Sequence, residues 1–466
     1  MNSEGHDVIV IGGGPGGSTC ASLLSRAGHK VLLLEKMKFP REHVGESLLP
    51  FCYRLFEDLG VVDEMKKRFV RKPGVRFLDG RTGEVSTTWC FNHIIFDETY
   101  LSFQVARAEF DHILLKNSMR LGAEVHEQTK VKDVDVQTAP DRVSVTAVDE
   151  SGKETTYRAR FLIDASGRDA LLGSKYGWRR LREELDRTAV WSHWTGVKMA
   201  GGLEEGLSMI LYMGEEQKGW IWVFPLTEDR VTAGFVSQNS YIRDQRKKLL
   251  AAGSTNWEYD LCMQELNRSP FVEKLLQGST LAMPMIVNGN YSYEIKNHFG
   301  SNYAMVGDAR GFIDPIFSSG VFLTMKSAYL VSNAVDNQLK GKVSVPNPMM
   351  AESYDKISGA YNFVHRMIKL FYNPHALTWA EVGVDGTHKD HANAMAAGHY
   401  MLAGDFFENY GKYDEFFKSL QDATTFRRYT KYVTERPAFQ TQCNTKWETA
   451  FGGLVKKEEE EVTAGD

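Results

Sequence analysis

The sequence predicts an α/β fold: a parallel sheet, interrupted by an inserted strand-rich layer and closed by C-terminal helices. Three observations predict it. Residues Asp7 to Glu35 read as strand, glycine-rich turn, helix, glycine stop and strand. Two short apolar runs far downstream, ending at Asp164 and Asp308, have the character of further buried parallel strands. Between them the chain is rich in β-branched and aromatic runs, and after them it reads as helical.

The opening stretch carries the most information. Val8-Ile9-Val10-Ile11 is uncharged and apolar, as a strand covered on both faces must be. The run Gly12-Gly13-Gly14-Pro15-Gly16-Gly17 follows at once. Gly12 allows a tight turn, Gly14 lets the backbone approach a pyrophosphate, and Gly17 lets a helix pack on the strand. The helix expected from Ser18 to Ala27 points its free N–H groups at the phosphates, and Gly28 stops it. Lys30 to Leu34 is the second strand. Glu35 ends it, at the spacing where a carboxylate accepts from ribose hydroxyls. In register, these parts make a dinucleotide-binding βαβ unit.

A polar loop with Arg41 and Gly45-Glu46-Ser47 then leads into a helix near Leu49 to Leu59. Six basic residues crowd 66–76: Lys66, Lys67, Arg68, Arg71, Lys72 and Arg76. Pattern alone reads them as a solvated basic face. Val75 to Leu78 and Val85 to Trp89 flank a turn and predict a hairpin. A helix runs to Leu121, where Gly122 stops it. Val131 to Val136, Val143 to Val148 and Thr155 to Tyr157 predict a small antiparallel layer, and Phe161 to Asp164 a buried strand. Residues 186–295 read as strand-rich, with Trp220-Ile221-Trp222-Val223-Phe224-Pro225 inside them. A helix is expected from Ser319 to Leu339, and aromatic helices from Asn347 onward.

The expected organisation is a discontinuous nucleotide domain, 1–185 completed by 296–345. A β-rich substrate domain, 186–295 with a contribution from 69–103, is inserted into it. A helical cap follows over 346–455, then a charged, disordered tail at 456–466.

Composition narrows the function classes. The 466 residues carry a net charge of −5, which argues against general nucleic-acid binding. No apolar run reaches membrane-spanning length, and Met1 to Asp7 is polar. The five cysteines are scattered without CxxC spacing, suggesting reduced thiols and a cytoplasmic setting. The histidines show no metal-ligand spacing, so no metal is expected. Asp164 and Asp308, each at a strand end, suit the ribose and ribityl hydroxyls of an extended dinucleotide, which favours FAD over NAD. Arg41 and Arg107 suit phosphates or the ring edge, though each also fits an ion pair.

With these motifs assembled, the sequence resembles the flavin-dependent halogenases, a branch of the FAD monooxygenases with the p-hydroxybenzoate hydroxylase fold. The resemblance covers most of residues 5–340. It rests on Gly12 to Gly17, Arg41 with Gly45-Glu46-Ser47, the double tryptophan Trp220-x-Trp222-x-Phe224-Pro225, and Gly307-Asp308-Ala309 running into Asp314-Pro315-Ile316-Phe317-Ser318-Ser319-Gly320. The family usually has Ile where Phe224 stands. It implies a Rossmann-like FAD-binding domain in which the glycine run, Glu35, Arg41, Glu46, Ser47, Arg107, Asp164, Asp308 and Pro315 hold the cofactor.

The resemblance further implies that FAD arrives reduced from a separate flavin reductase, and that chloride or bromide sits at Ser319 and Gly320. Hypohalous acid would travel inward to Lys72, while Trp220, Trp222 and Pro225 keep the organic substrate from the flavin. The free-tryptophan enzymes carry Glu where Phe317 stands. This chain therefore looks more like those acting on phenols, pyrroles or aromatic groups tethered to a carrier protein, in secondary-metabolite biosynthesis. The basic segment 66–76 would suit an acidic carrier protein. The alternatives are an FAD-dependent monooxygenase or reductase of the same fold, and a non-catalytic flavoprotein or carrier-binding module.

Overall fold

The computed structural model describes residues 5–421, apart from 96, 140, 183–184, 199–202, 215–218, 290–291, 374, 377–378, 380–391 and 408–409. The expected tail at 456–466 and the end of the expected cap lie outside the described residues.

Strand β1 (His6–Ile11), helix α1 (Pro15–Arg26) and strand β2 (Val31–Leu34) form the predicted unit, with β1 and β2 parallel and Val8 opposite Val31. The helix starts three residues earlier than the sequence predicts, because Pro15 takes the first helical position, where a missing N–H costs nothing. Gly12 has φ +99, which a side chain would strain, and a Cβ on Gly17 would lie 1.8 Å from the Gly12 carbonyl oxygen. The turn and the helix–strand approach therefore both need glycine.

β1 pairs on its other side with Glu154–Asp164, an eleven-residue strand that also serves the antiparallel layer. Its first half runs antiparallel to Val143–Val148. Its second half runs parallel to β1 and to Tyr303–Met305. The sequence reads two strands there, since polar–apolar alternation gives way to a continuous apolar run where the strand passes from edge to core. The late strand Tyr303–Met305 brings Gly307 and Asp308 beside the glycine loop.

The second sheet has eight strands. Gly74–Asp79 and Val85–Cys90 form the predicted hairpin at one edge, and Ser208–Tyr212, Trp220–Pro225, Arg230–Gln238 and Arg187–Thr195 follow in order. Residues 239–276, read as part of the strand-rich region, instead form three helices: Asn239–Ala251, Trp257–Leu266 and Pro270–Leu276. They pack on one face of the sheet, against Ile221, Val223 and Phe235. Trp220, Trp222 and Phe224 alternate to the opposite face and join the core shared with the nucleotide domain.

Helix Gly320–Leu339 packs on α1, and Pro348–Phe371 lies over it, capped by Asn347, whose side chain accepts from Met349 N at 3.0 Å. Cys20, Cys52 and Cys262 are free and buried. Cys90 is disulfide-bonded, which corrects the expectation of reduced thiols throughout. Among the described residues no helix is long and apolar enough to cross a membrane, and no group of three or more His, Cys, Asp or Glu could hold a metal ion.

Candidate active site

A cavity of about 430 Å³ runs from the glycine loop to the start of helix Gly320–Leu339. Gly12, Gly14, Pro15, Gly16 and Glu35 line one end. Glu35 is fixed by Gly13 N and Met37 N, each donating at 2.7 Å. No side chain caps the N-terminus of α1, so its partial positive charge is left for a ligand.

Arg41 and Arg107 also line the cavity and meet on one carboxylate. Arg107 donates Nε and Nη2 to Asp111 at 2.8 and 2.9 Å, and Arg41 donates Nη1 to the same group at 2.8 Å. Burial works against ionisation of Asp111, but the two guanidiniums override it and hold its carboxyl below the ordinary range. Arg41 Nη2 lies where a Cβ on Gly14 would be 3.4 Å away, beside the phosphate loop. The ion-pair and phosphate-contact readings of these arginines thus coexist.

Asp308 and Pro315 line the cavity as well. Burial lifts the Asp308 carboxyl to about 6, with Arg107 and Arg168 pulling it down. Asp164 does not line it. Its two oxygens accept from Ser166 N at 3.0 Å and Leu172 N at 2.8 Å, so it anchors the turn after its strand. Gly17 likewise sits behind the wall, where it seats the helix.

At the far end stand Trp220, Trp222, Phe224, Ser318 and Gly320. Pro225 ends the tryptophan strand, buried and off the cavity wall. Trp220 and Trp222 are 5.4 Å apart between centroids. Ser319 is buried, and its hydroxyl has no hydrogen-bond partner. It precedes the twenty-residue helix, whose N-terminus no side chain caps. An orphaned buried donor at an uncapped helix start is costly unless an anion or other acceptor satisfies it. The preceding turn holds Ser318 at φ +54, an uncommon conformation for a residue with a side chain.

That turn divides two spaces. Ser318 lines the large cavity and also a chamber of about 10 Å³ with Lys72, Phe77, Ser208, Phe317 and Leu402 on its walls. Lys72 is fully buried, at 0% exposure. Its Nζ donates to Ser47 Oγ at 2.8 Å and to the Leu48 carbonyl at 3.0 Å, and sits 5.5 Å from the centre of the Phe91 ring. Burial pulls its pKa from 10.5 to about 7, against a pull from Cys52 the other way. Most of the rest of the basic segment is paired or buried: Lys66 with Glu98, Arg68 with Glu64 at 3.2 Å, Arg76 with Glu204 at 2.5 Å, and Arg71 in the core, which leaves Lys67 exposed. It does not present a bare positive face.

Three partnerships at the site carry no linear signal. Glu46 on the cavity wall is hydrogen-bonded to buried His193. Asp314, at the start of the serine loop, accepts from the Tyr372 hydroxyl at 2.8 Å, and that hydroxyl accepts from Trp220 Nε1 at 2.9 Å. Phe317 packs edge-on against Phe371 and Trp379, at 6.1 and 5.7 Å. Among the described residues lining the Lys72 chamber, none is acidic.

An elongated cavity with an uncapped helix start at each end and a glycine cradle fits FAD, whose phosphates the loop would face. The family comparison agrees. Residues 5–345 match the FAD binding domain. The chain is 32% identical over 378 residues to a tryptophan 2-halogenase of Chondromyces crocatus, covering 80% of this chain and 66% of that protein. It is 31% identical over 360 residues to a 1H-pyrrole-2-carbonyl-(peptidyl-carrier protein) chlorinase of Pseudomonas fluorescens, covering 73% of this chain and 78% of that one. The chain thus spans a little under two thirds of the first relative's length. Among solved structures, the myxobacterial chondrochloren halogenase CndH superposes with a TM-score of 0.70 at 29% identity, over 91% of this chain and 97% of that one. From its glycine cradle to its serine loop, this chain belongs to the FAD-binding domain family and, within it, to the flavin-dependent halogenases.

Proposed function

We propose that the chain is an FADH2-dependent halogenase acting on an electron-rich aromatic ring, a phenol, a pyrrole or a ring tethered to a carrier protein. The observation that carries the reading is the fully buried Lys72 amine, in an aromatic chamber that shares only the Ser318 turn with the FAD cavity. A monooxygenase needs its substrate in contact with the flavin; here the basic group lies behind a wall.

Gly12, Gly14, Pro15, Gly16, Glu35, Arg41, Glu46, Ser47, Arg107, Asp308 and Pro315 would hold FAD, with Gly17 seating the helix behind them. Asp164 contributes by fixing the adjoining turn. Bound reduced flavin and O2 supply the oxidation of chloride or bromide to hypohalous acid. The orphaned Ser319 hydroxyl and the helix start at Gly320 support a halide site. Trp220 and Trp222 exclude the organic substrate. Lys72, able to be amine or ammonium near neutrality, either accepts the halogen as a haloamine or hydrogen-bonds the acid and polarises it. At about 10 Å³ the chamber holds no more than a water-sized molecule, so an aromatic ring reaches Lys72 only when wall residues such as Leu402 are displaced. Phe317, where the free-tryptophan enzymes carry Glu, supports a phenol, pyrrole or carrier-tethered substrate over free tryptophan. A separate reductase would deliver the reduced flavin.

The test supplies the protein with FAD, a flavin reductase, NADH, O2 and bromide, beside a panel of phenols, pyrroles and carrier-tethered pyrrole acyl groups, read by mass spectrometry. Brominated product that disappears in Lys72→Ala, with FAD still bound, is the expected result. Oxygenated product without halogen overturns the reading in favour of a monooxygenase.

A further inference from the structure

Lys72 does not stand alone in its chamber. Its Nζ donates to Ser47 Oγ at 2.8 Å, and Ser47 Oγ lies 2.8 Å from Ser208 Oγ. Gln104 Nε2 donates to Ser208 Oγ at 2.8 Å and to the Gly206 carbonyl at 3.2 Å. All four side chains are buried, each at 3% exposure or less. They come from four separate segments: the 39–47 loop, Val70–Lys72, Ser102–Gln104 and Ser208–Tyr212. Ser47 lines the FAD cavity, whereas Ser208 lines the Lys72 chamber.

The donors fix the pattern. Each serine oxygen already accepts one N–H, from Lys72 or from Gln104. One hydroxyl proton must lie between the two oxygens, and the second is left to point outward. When Ser208 donates to Ser47, the outward proton belongs to Ser47 and faces the FAD cavity. When the bond reverses, it belongs to Ser208 and faces the chamber. A hydroxyl pair with two such arrangements can pass a proton from one space to the other.

We propose that Ser47 and Ser208 form a proton relay that carries the proton shed by the Lys72 ammonium out toward the FAD cavity, so that Ser47 is a positioning residue acting through Lys72. The proposal rests on the halogenase reading above. The ammonium N–H breaks, its proton passes to Ser47 Oγ, and the serine's own hydroxyl proton, turned outward because Ser208 donates to Ser47, leaves on the cavity side. The neutral amine then attacks the halogen of hypohalous acid. The N–halogen bond forms, the O–halogen bond breaks, and the departing hydroxide takes one amine proton to become water. The aromatic ring takes the halogen from nitrogen and returns its displaced proton to the amine, which then takes up one further proton and restores the ammonium for the next turnover. Without an exit for its first proton, the ammonium has no lone pair with which to begin.

The test uses the FAD-loaded protein and the variants Ser47→Ala, Ser47→Thr and Ser208→Ala. Two quantities are compared at pH 7: the rate of brominated product, and the rate at which Lys72 is reductively methylated by formaldehyde, read by peptide mass spectrometry. Methylation reports the neutral amine without turnover. A relay predicts that the two separate. Ser47→Ala loses about a hundredfold in product rate, while methylation is unchanged or faster, because the ammonium has lost an acceptor that stabilised it. Ser47→Thr keeps a hydroxyl and restores product. Ser208→Ala, whose side chain does not line the FAD cavity, shows the same separation and carries the test if Ser47→Ala loses FAD. Product and methylation falling together would mean that the serines only hold the amine in place, and would overturn the relay; so would an unchanged product rate. A wild-type protein that makes no brominated product overturns the halogenase reading itself, a result distinct from either.

Discussion

Replacing Lys72 with Met should stabilise the protein while abolishing halogenation, and the stabilisation should shrink as pH rises. The amine is at 0% exposure, and burial lowers its pKa from 10.5 to about 7. The unfolded chain therefore binds the proton more tightly than the folded one. Between pH 7 and 10.5 the unfolded state holds more protons, so the contribution of this group to stability rises with pH; below pH 7 the full cost of burying the ammonium stands. That cost is about 4 kcal/mol at pH 7 and about 2 kcal/mol at pH 9, and it vanishes above 10.5. Met fills a similar volume and carries no charge. It leaves the Leu48 carbonyl without its donor, which costs about 1–3 kcal/mol, but at every pH alike. The gap between variant and wild type should thus narrow by about 2 kcal/mol from pH 7 to pH 9. Urea unfolding followed by tryptophan fluorescence, at matched FAD, measures it. A gap that stays constant between the two pH values would refute the reasoning, since Lys72 would then not be changing charge in that range.

Other perturbations have outcomes as definite. Gly17→Ala forces a Cβ to within 1.8 Å of the Gly12 carbonyl, so the loop must shift; FAD retained on purification, read as flavin absorbance, should fall sharply. Ser319→Ala removes the orphaned hydroxyl, and the bromide concentration for half-maximal rate should rise about tenfold, the scale of one hydrogen bond to an anion, with FAD content unchanged. Asp308→Asn should stabilise the apoprotein by an amount that grows from about pH 4 and reaches its full size above pH 6. The buried acid's raised pKa makes its ionisation costly above that value, and below about 4 the carboxyl is protonated in both states and the gain disappears; thermal melts across this range check it. Tyr372→Phe cuts the link from Trp220 to Asp314, and more hypohalous acid should escape to solution per bromide consumed, measured with a soluble halogen acceptor.

Much of the fold was legible because its signals are local. A strand, six residues of glycine and proline, and a helix stop identify a nucleotide unit wherever they occur in order. The short apolar run before Asp308 reads as one more core strand, and Tyr303–Met305 pairs in parallel with Glu154–Asp164. The sequence gives no equivalent warning of partnerships made by register. Ser208 reaches Lys72 because Ser208–Tyr212 pairs in parallel with Gly74–Asp79, opposite Val75. Asp111 joins Arg107 across one helical turn, yet only the loop's path brings Arg41 to the same carboxylate. Asp164 shows the converse. A strand-end acid suits a sugar hydroxyl and a backbone turn equally, and here its own neighbours take both oxygens. The helices over 239–276 were missed although caps were present: Asn256 accepts from Tyr259 N and Pro270 opens the third helix, signals outweighed by the strand-forming residues on either side.

The long strand Glu154–Asp164 has a consequence for synthesis. One of its parallel neighbours, β1, precedes it, while the other, Tyr303–Met305, lies about 140 residues downstream. At roughly 5–20 residues per second a ribosome needs about 7–30 s to make that stretch. During this interval one side of Leu162 and Ile163 has no strand partner, and Asp308 and the serine loop do not yet exist. The inserted sheet and its three helices, which share a hydrophobic cluster of their own, emerge first and have time to fold. The FAD cavity is therefore among the last features completed on the nascent chain, and free FAD can assist only the end of folding.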